Sequence, residues 1–220
     1  MVSKKFFFLG NIKYAETTKK VEKLNYNLNK FLKSKVYWCA SSTHPGEEEI
    51  CLNVHLILKH KFKNLVTIII PRHVERKSEI IDLINKKKLN YHCHSWNKKI
   101  KDNINIYLVD TYGETKKFFR KVDNVFLGGS LISHGGQNPL EPARYGSKII
   151  HGPNVDNFKE IFGTLEKLNI SKKVNNQKQM ISFLKNNINH KPMSKKYVRK
   201  INKLGKSILN ITYKKIENLI

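Results

Sequence analysis

Short apolar runs alternate with longer amphipathic stretches along this chain. The runs are "VYWCA" at 36–40, "LVTIII" at 65–70, "INIYLV" at 104–109, "NVFLGG" at 124–129 and "SKIIHG" at 147–152. Their hydrophobicity is continuous rather than alternating, which predicts strands buried on both faces, as in a parallel sheet. Helical periodicity falls between them, at 47–61, 75–88, 114–122, 138–145 and 156–168. Strand and helix in this alternation predict an α/β fold built on a doubly wound parallel sheet.

Two flanking segments have a different character. Residues 14–33, periodic and polar, predict a helix leading into the first strand. In 192–220, Tyr197, Ile201, Leu204, Ile208 and Ile211 recur at intervals of four and three with lysines opposite, which predicts a basic amphipathic helix. Packing on its own domain is the ordinary fate of such a helix, and resting on an anionic membrane surface is the functional alternative. The chain therefore divides into a connecting segment with its helix (1–34), an α/β domain (35–191) and a C-terminal helix (192–220).

The length, 220 residues, suits one domain with a small appendage, and 40% hydrophobic residues argue against a disordered chain. Lys and Arg number 42 against 17 acidic residues, a net charge of +25 that attracts nucleic acid, anionic lipid or phosphorylated ligands alike. The basic residues are mostly lysines amid abundant asparagine and isoleucine, a mix that an AT-rich genome favours, so the charge is discounted as a guide to function. Cys39, Cys51 and Cys93 are far apart without C-x-x-C spacing, which indicates neither a zinc site nor a disulfide framework and fits a reducing cytosol. The apolar opening "FFFLGNI" at 6–12 falls far short of the ~20 residues of a membrane span.

Candidate chemistry lies where the apolar runs end, because ligands of open α/β sheets bind beyond the carboxyl ends of the strands. The strings there are "SSTHPGEEE" (41–49), "PRHVER" (71–76), "DTYGET" (110–115) and "GGSLISHGGQNPLEPA" (128–143). Each has a plain structural reading. Ser42, Thr43 and Asn138 suit helix caps, Pro139 suits a first turn, Glu141 suits the reciprocal carboxylate of a capping box, and Gly146 suits a helix stop. Four such strings at one sheet edge point instead to a phosphate-bearing ligand held by helix-terminal amides. No G-x-x-x-x-G-K-[ST] loop, G-x-G-x-x-G spacing or D-x-D pair occurs. The expected site is therefore metal-free, with amide dipoles and a fixed cation, Arg72, stabilising a phosphate leaving group.

Other side chains carry weaker signals. His92 and His94 in "HCH" share a strand face but lack further ligands nearby, so ordinary strand residues are the expectation. His44 with Glu47–Glu49 suggests acid–base work, yet carboxylates at a helix start more often serve the helix dipole. His73 and His134 suit either a ligand site or solvated loops.

Taken together, "STHPGEEE", "PRHVER", "DTYGE", "GGSL", "GGQNPLEPA" and "GPNVDNFKEI" resemble the C-terminal half of the Kdo transferases. These Gram-negative enzymes move 3-deoxy-D-manno-octulosonic acid (Kdo) from CMP-Kdo to the lipid A precursor, lipid IVA, in lipopolysaccharide biosynthesis. The resemblance spans residues 8 to 190. It implies a Rossmann-like domain of the GT-B glycosyltransferase architecture that binds CMP-Kdo as a substrate, without metal or cofactor. The implied donor-binding residues are Pro71, Arg72, Tyr112, Gly113, Glu114, Gly129, Ser130, Asn138, Pro139, Leu140 and Glu141, with Glu141 accepting from ribose hydroxyls. Lys13 matches the family's lysine that stabilises the transition state. Tyr112 stands where a methionine is usual and Gln137 where a histidine is common.

The resemblance further implies a two-domain protein about twice this length. The N-terminal half, which brings the acceptor site, the membrane-anchoring segment and the glutamate general base, has no counterpart in this sequence. The expected location is the cytoplasmic face of the inner membrane, peripherally bound. Two other readings stay open. One is a CMP-sugar-binding domain without independent activity. The other is a lysine-rich nucleic-acid binder, which needs exposed aromatics among its basic residues, whereas the 11 Phe and 9 Tyr fall mostly in apolar runs.

Overall fold

Seven strands form one parallel sheet in a computed structural model that describes residues 10–16, 22–189 and 194–218. The strands are β1 (Val36–Thr43), β2 (Leu65–Pro71), β3 (Tyr91–Cys93), β4 (Ile106–Leu108), β5 (Asn124–Leu127), β6 (Lys148–His151) and β7 (Ser171–Lys173). Their order across the sheet is β3-β4-β2-β1-β5-β6-β7. Every residue of β2, β4 and β5 is buried, as the continuous apolar runs predict for strands covered on both sides.

Successive residues of a strand point to opposite faces, and the core divides accordingly. Trp38, Ala40, Phe126 and Ile150 meet α2 (Glu47–Lys61) and α7 (Gln177–Asn187), while Ile69, Ile106 and Leu108 meet α2 and α3 (Lys77–Lys86). On the other face Cys39, Ile68, Val125 and Ile149 join apolar residues of five helices. These are α1 (Tyr26–Lys33), α4 (Thr115–Phe119), α5 (Leu140–Arg144), α6 (Lys159–Lys167) and α8 (Ser194–Glu217).

Helix α8 seats Tyr197, Ile201 and Ile208 in that core and lies against a 3-10 turn at Ile12–Ala15. The approach is so close that a Cβ on Gly205 would lie 2.3 Å from the Tyr14 carbonyl oxygen. Of the stripe predicted over 192–220, Tyr197, Ile201 and Ile208 pack on the domain with Leu204 half-buried beside them, whereas Ile211 is exposed. The described parts of the leading segment share the same core through Tyr14, Leu24, Leu28 and Phe31.

The expected helix at 14–33 is shorter than its periodicity suggests. Within the described residues it is α1 alone, begun by Asn25, whose side chain accepts from the Leu28 amide. Residues 17–21 of that stretch, the two ends of the 192–220 segment and most of "FFFLGNI" lie outside the described residues. The strand expected around "HCH" is β3, while one strand, β7, and one helix, α7, were not foreseen. β3 offers only three residues, β7 reads Ser-Lys-Lys with both lysines exposed, and α7 is a polar sequence that buries Met180, Ile181 and Leu184. Among the described residues no helix is long and apolar enough to cross a membrane.

Candidate functional site

The chain leaves β1 on one side to form β2 and returns on the other as β5, so the carboxyl ends of β1 and β5 mark the switch point of the sheet. At this point β1 is irregular. Ser42 has φ of 55°, and the register against β2 shifts between Ser41 and Thr43. The kink turns the Thr43 carbonyl to accept from the Arg72 amide at 3.0 Å, while Ser41 accepts from Gly128 at 2.8 Å. A side chain at 128 is excluded, because its Cβ would lie 2.3 Å from the Ser42 carbonyl oxygen. The buried hydroxyls of Ser41, Thr43 and Thr111 at this edge have no partner among the described residues.

Helix α2 begins at the switch point. The expected caps Ser42 and Thr43 do not cap it: Gly46 precedes the helix, with no side-chain hydrogen bond to its first amides. The acidic run that follows is more than a partner for the dipole. Glu47 is wholly buried and crosses from β1 to β5. Its Oε2 accepts from the amides of Gly129 at 2.7 Å and His44 at 3.1 Å, and its Oε1 from Ser130 at 3.1 Å and Leu131 at 3.0 Å. Burial raises this carboxyl above its ordinary value against the pull of the four amides. Glu48, also wholly buried, pairs with Arg76 at 2.8 Å and fixes "PRHVER" to α2.

This arrangement corrects one expectation. The amides of the "GGSL" turn are not open to a ligand, because Glu47 already occupies them. Ser130 is wholly buried, donates to the Leu127 carbonyl and accepts from the Gly152 amide, so it shapes the turn and does not face the crevice. Pro71, Pro139 and Leu140 are buried too and serve as supports. Arg72 is exposed directly beyond β2, with its side chain free to meet a ligand.

Three histidines converge beside Arg72. The buried His44 ring lies 4.0 Å from the ring of His134 and 6.0 Å from that of His73, between centroids, and within 3.5 Å of the Gln137 amide nitrogen. Burial lowers His44 to about 4, helped by His134, His73 and Arg72, so it is neutral at physiological pH. The strings at 41–49, 71–76 and 128–143 thus meet at one place.

Beside the same 71–76 segment, Tyr112 is exposed and donates to Glu75. Gly113 turns at φ of 82°, and Glu114 sits 3.4 Å from His94 and 3.1 Å from Lys117. His94 also contacts the Tyr107 hydroxyl at 2.9 Å, so the "HCH" segment supports the loop that carries Glu114. Asp110 anchors the same loop to Ser95 and Lys77. Asn138 does not cap α5, which starts at Leu140 with Pro139 in the cap position; its side chain accepts from the Leu140 amide at 3.0 Å in a local turn ahead of the helix. Glu141 does not complete a capping box. It lies half exposed, 3.6 Å from Lys116 of α4, and Gly146 ends the helix at φ of 87°.

Lys13 is exposed in the 3-10 turn, whose carbonyl groups are tied to α5: Arg144 donates to the Lys13 carbonyl and pairs with Glu16 at 2.9 Å. It lines a cleft of about 520 Å³ with Asn11, Asp156, Asn157 and Glu160. The Asn157 amide donates to the Gly135 carbonyl at 3.1 Å, so this cleft and the "HGGQNPLE" loop share a wall. The sequence reading missed Glu47 as a loop holder and Asn157 as the link to Lys13. The acidic run was visible, but nothing in it distinguished a carboxylate that turns inward.

No protein-family model matches the chain. Over 158 residues, 71% of its length, it is 38% identical to the 3-deoxy-D-manno-octulosonic acid transferase of Haemophilus influenzae, covering 37% of that protein. Over 187 residues, 82% of its length, it is 33% identical to the 3-deoxy-D-manno-octulosonic acid transferase of Rickettsia prowazekii, covering 39% of it. The chain thus spans under two fifths of these curated relatives. Among solved structures it shares the fold of the C-terminal CMP-Kdo binding domain of WaaA from Acinetobacter baumannii. The TM-score is 0.68 at 24% identity, with 84% of this chain and 93% of that one covered.

Proposed function

Because the chain belongs to the Kdo transferase family, we propose that its switch-point crevice binds CMP-Kdo and serves the transfer of Kdo to the lipid A precursor in lipopolysaccharide biosynthesis. The observation that carries this reading is the convergence of the strings at 41–49, 71–76 and 128–143 at the switch point, where the exposed Arg72 stands beside His44, His73 and His134. Arg72 supplies a permanent cation beside the site expected for the phosphate, where a bidentate charge-assisted contact is favourable. Glu141, half exposed, accepts from ribose hydroxyls. Gly129, Ser130, Pro139 and Leu140 act one layer back, by shaping the loops that present these groups.

In the proposed reaction a carboxylate of the larger enzyme removes the acceptor proton while CMP departs from the anomeric carbon with inversion. Negative charge then grows on the leaving phosphate, and fixed cations placed beforehand stabilise it without reorganisation. Arg72 fills that role in the crevice, and Lys13 fills it from the neighbouring cleft. The chemistry as proposed uses no metal. The acceptor, lipid IVA, and a peripheral position on the cytoplasmic face of the inner membrane belong to the same proposal.

Calorimetric titration with CMP, beside AMP and UMP and in EDTA, tests the reading. Selective CMP binding that EDTA leaves unchanged is the expected result. Arg72→Ala and Glu141→Ala are each expected to weaken CMP binding about tenfold or more while leaving the unfolding midpoint nearly unchanged, since both side chains reach out of the fold. Equal affinity in both variants would overturn the assignment. Indifference among the three nucleotides would overturn cytidine recognition.

A further inference from the structure

A cluster of backbone amides at the carboxyl edge of an α/β sheet ordinarily receives an anion from the ligand. Here the anion is the protein's own. Glu47 of α2 reaches across the β1–β5 switch point and takes four amides, two on each oxygen: Gly129 and His44 on Oε2, Ser130 and Leu131 on Oε1. Three of the four belong to the turn after β5. The fourth belongs to His44, whose ring packs against His134 and touches Gln137 farther along the same loop.

We infer that Glu47 is a positioning residue for donor binding, a built-in anion that holds the Gly129–Leu131 turn and the His44 backbone in one arrangement. The inference rests on the reading of the crevice as a donor site. It follows from the bond pattern. All four partners are donors, so the site is satisfied by a group that only accepts, with two acceptor oxygens pointing to opposite sides. A glutamine fills the same volume but has one oxygen and one NH2. Whichever way its amide is turned, two N–H donors face another donor inside a wholly buried site. The turn must then move, and it carries with it the "SHGGQNPLE" loop that ends in Glu141.

No charge need reach the ligand from Glu47 itself. Its carboxylate is enclosed, and the crevice is reached by the elements that it joins. The sequence around it suits this task. Gly128 lets β5 end against the Ser42 carbonyl, bringing the turn within reach of α2. Glu48, the next residue, ties α2 to Arg76 and so to the segment carrying Arg72. Two adjacent carboxylates at the start of one helix therefore hold the donor loops on both sides of β1.

The test compares Glu47→Gln, Glu47→Asp and Arg72→Ala with the unaltered chain by CMP titration and by amide hydrogen exchange. Glu47→Gln is expected to lose CMP affinity tenfold or more. Exchange should quicken at Gly129, Ser130 and Leu131, while the amides of β1 and β2 keep their protection. Glu47→Asp retains both acceptor oxygens on a shorter arm and is expected to recover part of the affinity, which also keeps the test open should the glutamine variant fail to fold. Wild-type affinity in Glu47→Gln, or an aspartate variant no better than glutamine, would overturn the inference. If Arg72→Ala loses affinity while Glu47→Gln keeps it, the donor-site reading stands and only the role of Glu47 falls. If the unaltered chain does not bind CMP, the reading falls and the inference with it.

Discussion

Two histidines of the β1–α2 unit show how burial writes pH dependence into single side chains. His55 is wholly enclosed between α2 and β2, with Nδ1 2.9 Å from the Thr67 hydroxyl and Nε2 without a partner among the described residues. Burial lowers it to about 3 from the ordinary 6.5, and lowers His44 to about 4. In the unfolded chain both take up a proton near 6.5, so between that pH and the folded values the unfolded state binds more protons. Stability is therefore fully present above pH 6.5 and is lost as the pH falls toward 4. Urea unfolding at pH 7, 5.5 and 4.5 should give successively lower midpoints, with a shallower fall in His55→Asn. A midpoint equal at pH 7 and 4.5 would contradict the buried, neutral assignment. At this scale the sequence was a partial guide. Arg72, Tyr112 and Glu141 reach the surface that their motifs imply, whereas Ser130 and Glu47 turn inward, because a motif records residue types and not which way a side chain faces.

Elements were legible where apolar residues were dense and obscure where they were not. The five apolar runs became β1, β2, β4, β5 and β6, the first two lengthened by three residues and by one and the other three trimmed at their ends, while of the edge strands β3 showed only as "HCH" and β7 escaped. An edge strand has a neighbour on one side only, so it needs fewer apolar residues and reads like a loop. The C-terminal helix shows the converse, a pattern correctly read whose partner could not be foreseen. Its 4,3 stripe specified a buried face, yet only the fold brings that face onto the turn at Ile12–Ala15. Gly205 carries this contact: the nearest atoms to an added Cβ are backbone atoms of Tyr14 and Ala15, which cannot rotate away. Gly205→Ala is expected to cost ~1–3 kcal/mol, as overpacking does, despite the higher helix propensity of alanine. In a chain of this size that lowers Tm by about 2–10 °C, which calorimetry resolves. A rise in Tm would mean that propensity outweighs the contact.

Over the whole molecule the net charge of +25 is spread unevenly. On α8, Lys195, Lys196, Arg199, Lys203, Lys206 and Lys214 are all exposed, with Glu217 the single acidic residue of the helix. Attraction to an anionic bilayer contributes about 1 kcal/mol per basic residue near the surface and fades within a Debye length. The chain should therefore float with vesicles containing anionic lipid at low salt, stay behind with neutral vesicles, and be released by about 0.5 M salt. Flotation indifferent to lipid charge would leave α8 as a packing element alone.

The central position of β1 also orders events in time. Its ladder with β2 joins segments separated by one helix, but its ladder with β5 closes a loop of some eighty residues, a slower and entropically costlier step. A nascent chain that has formed β1 to β4 already presents Arg72 and His44, while Glu47 still lacks the turn it must grip. The switch-point crevice is thus a late product of assembly, completed when the two halves of the sheet join, and a chain severed between β4 and β5 would have to regain it by complementation of its fragments.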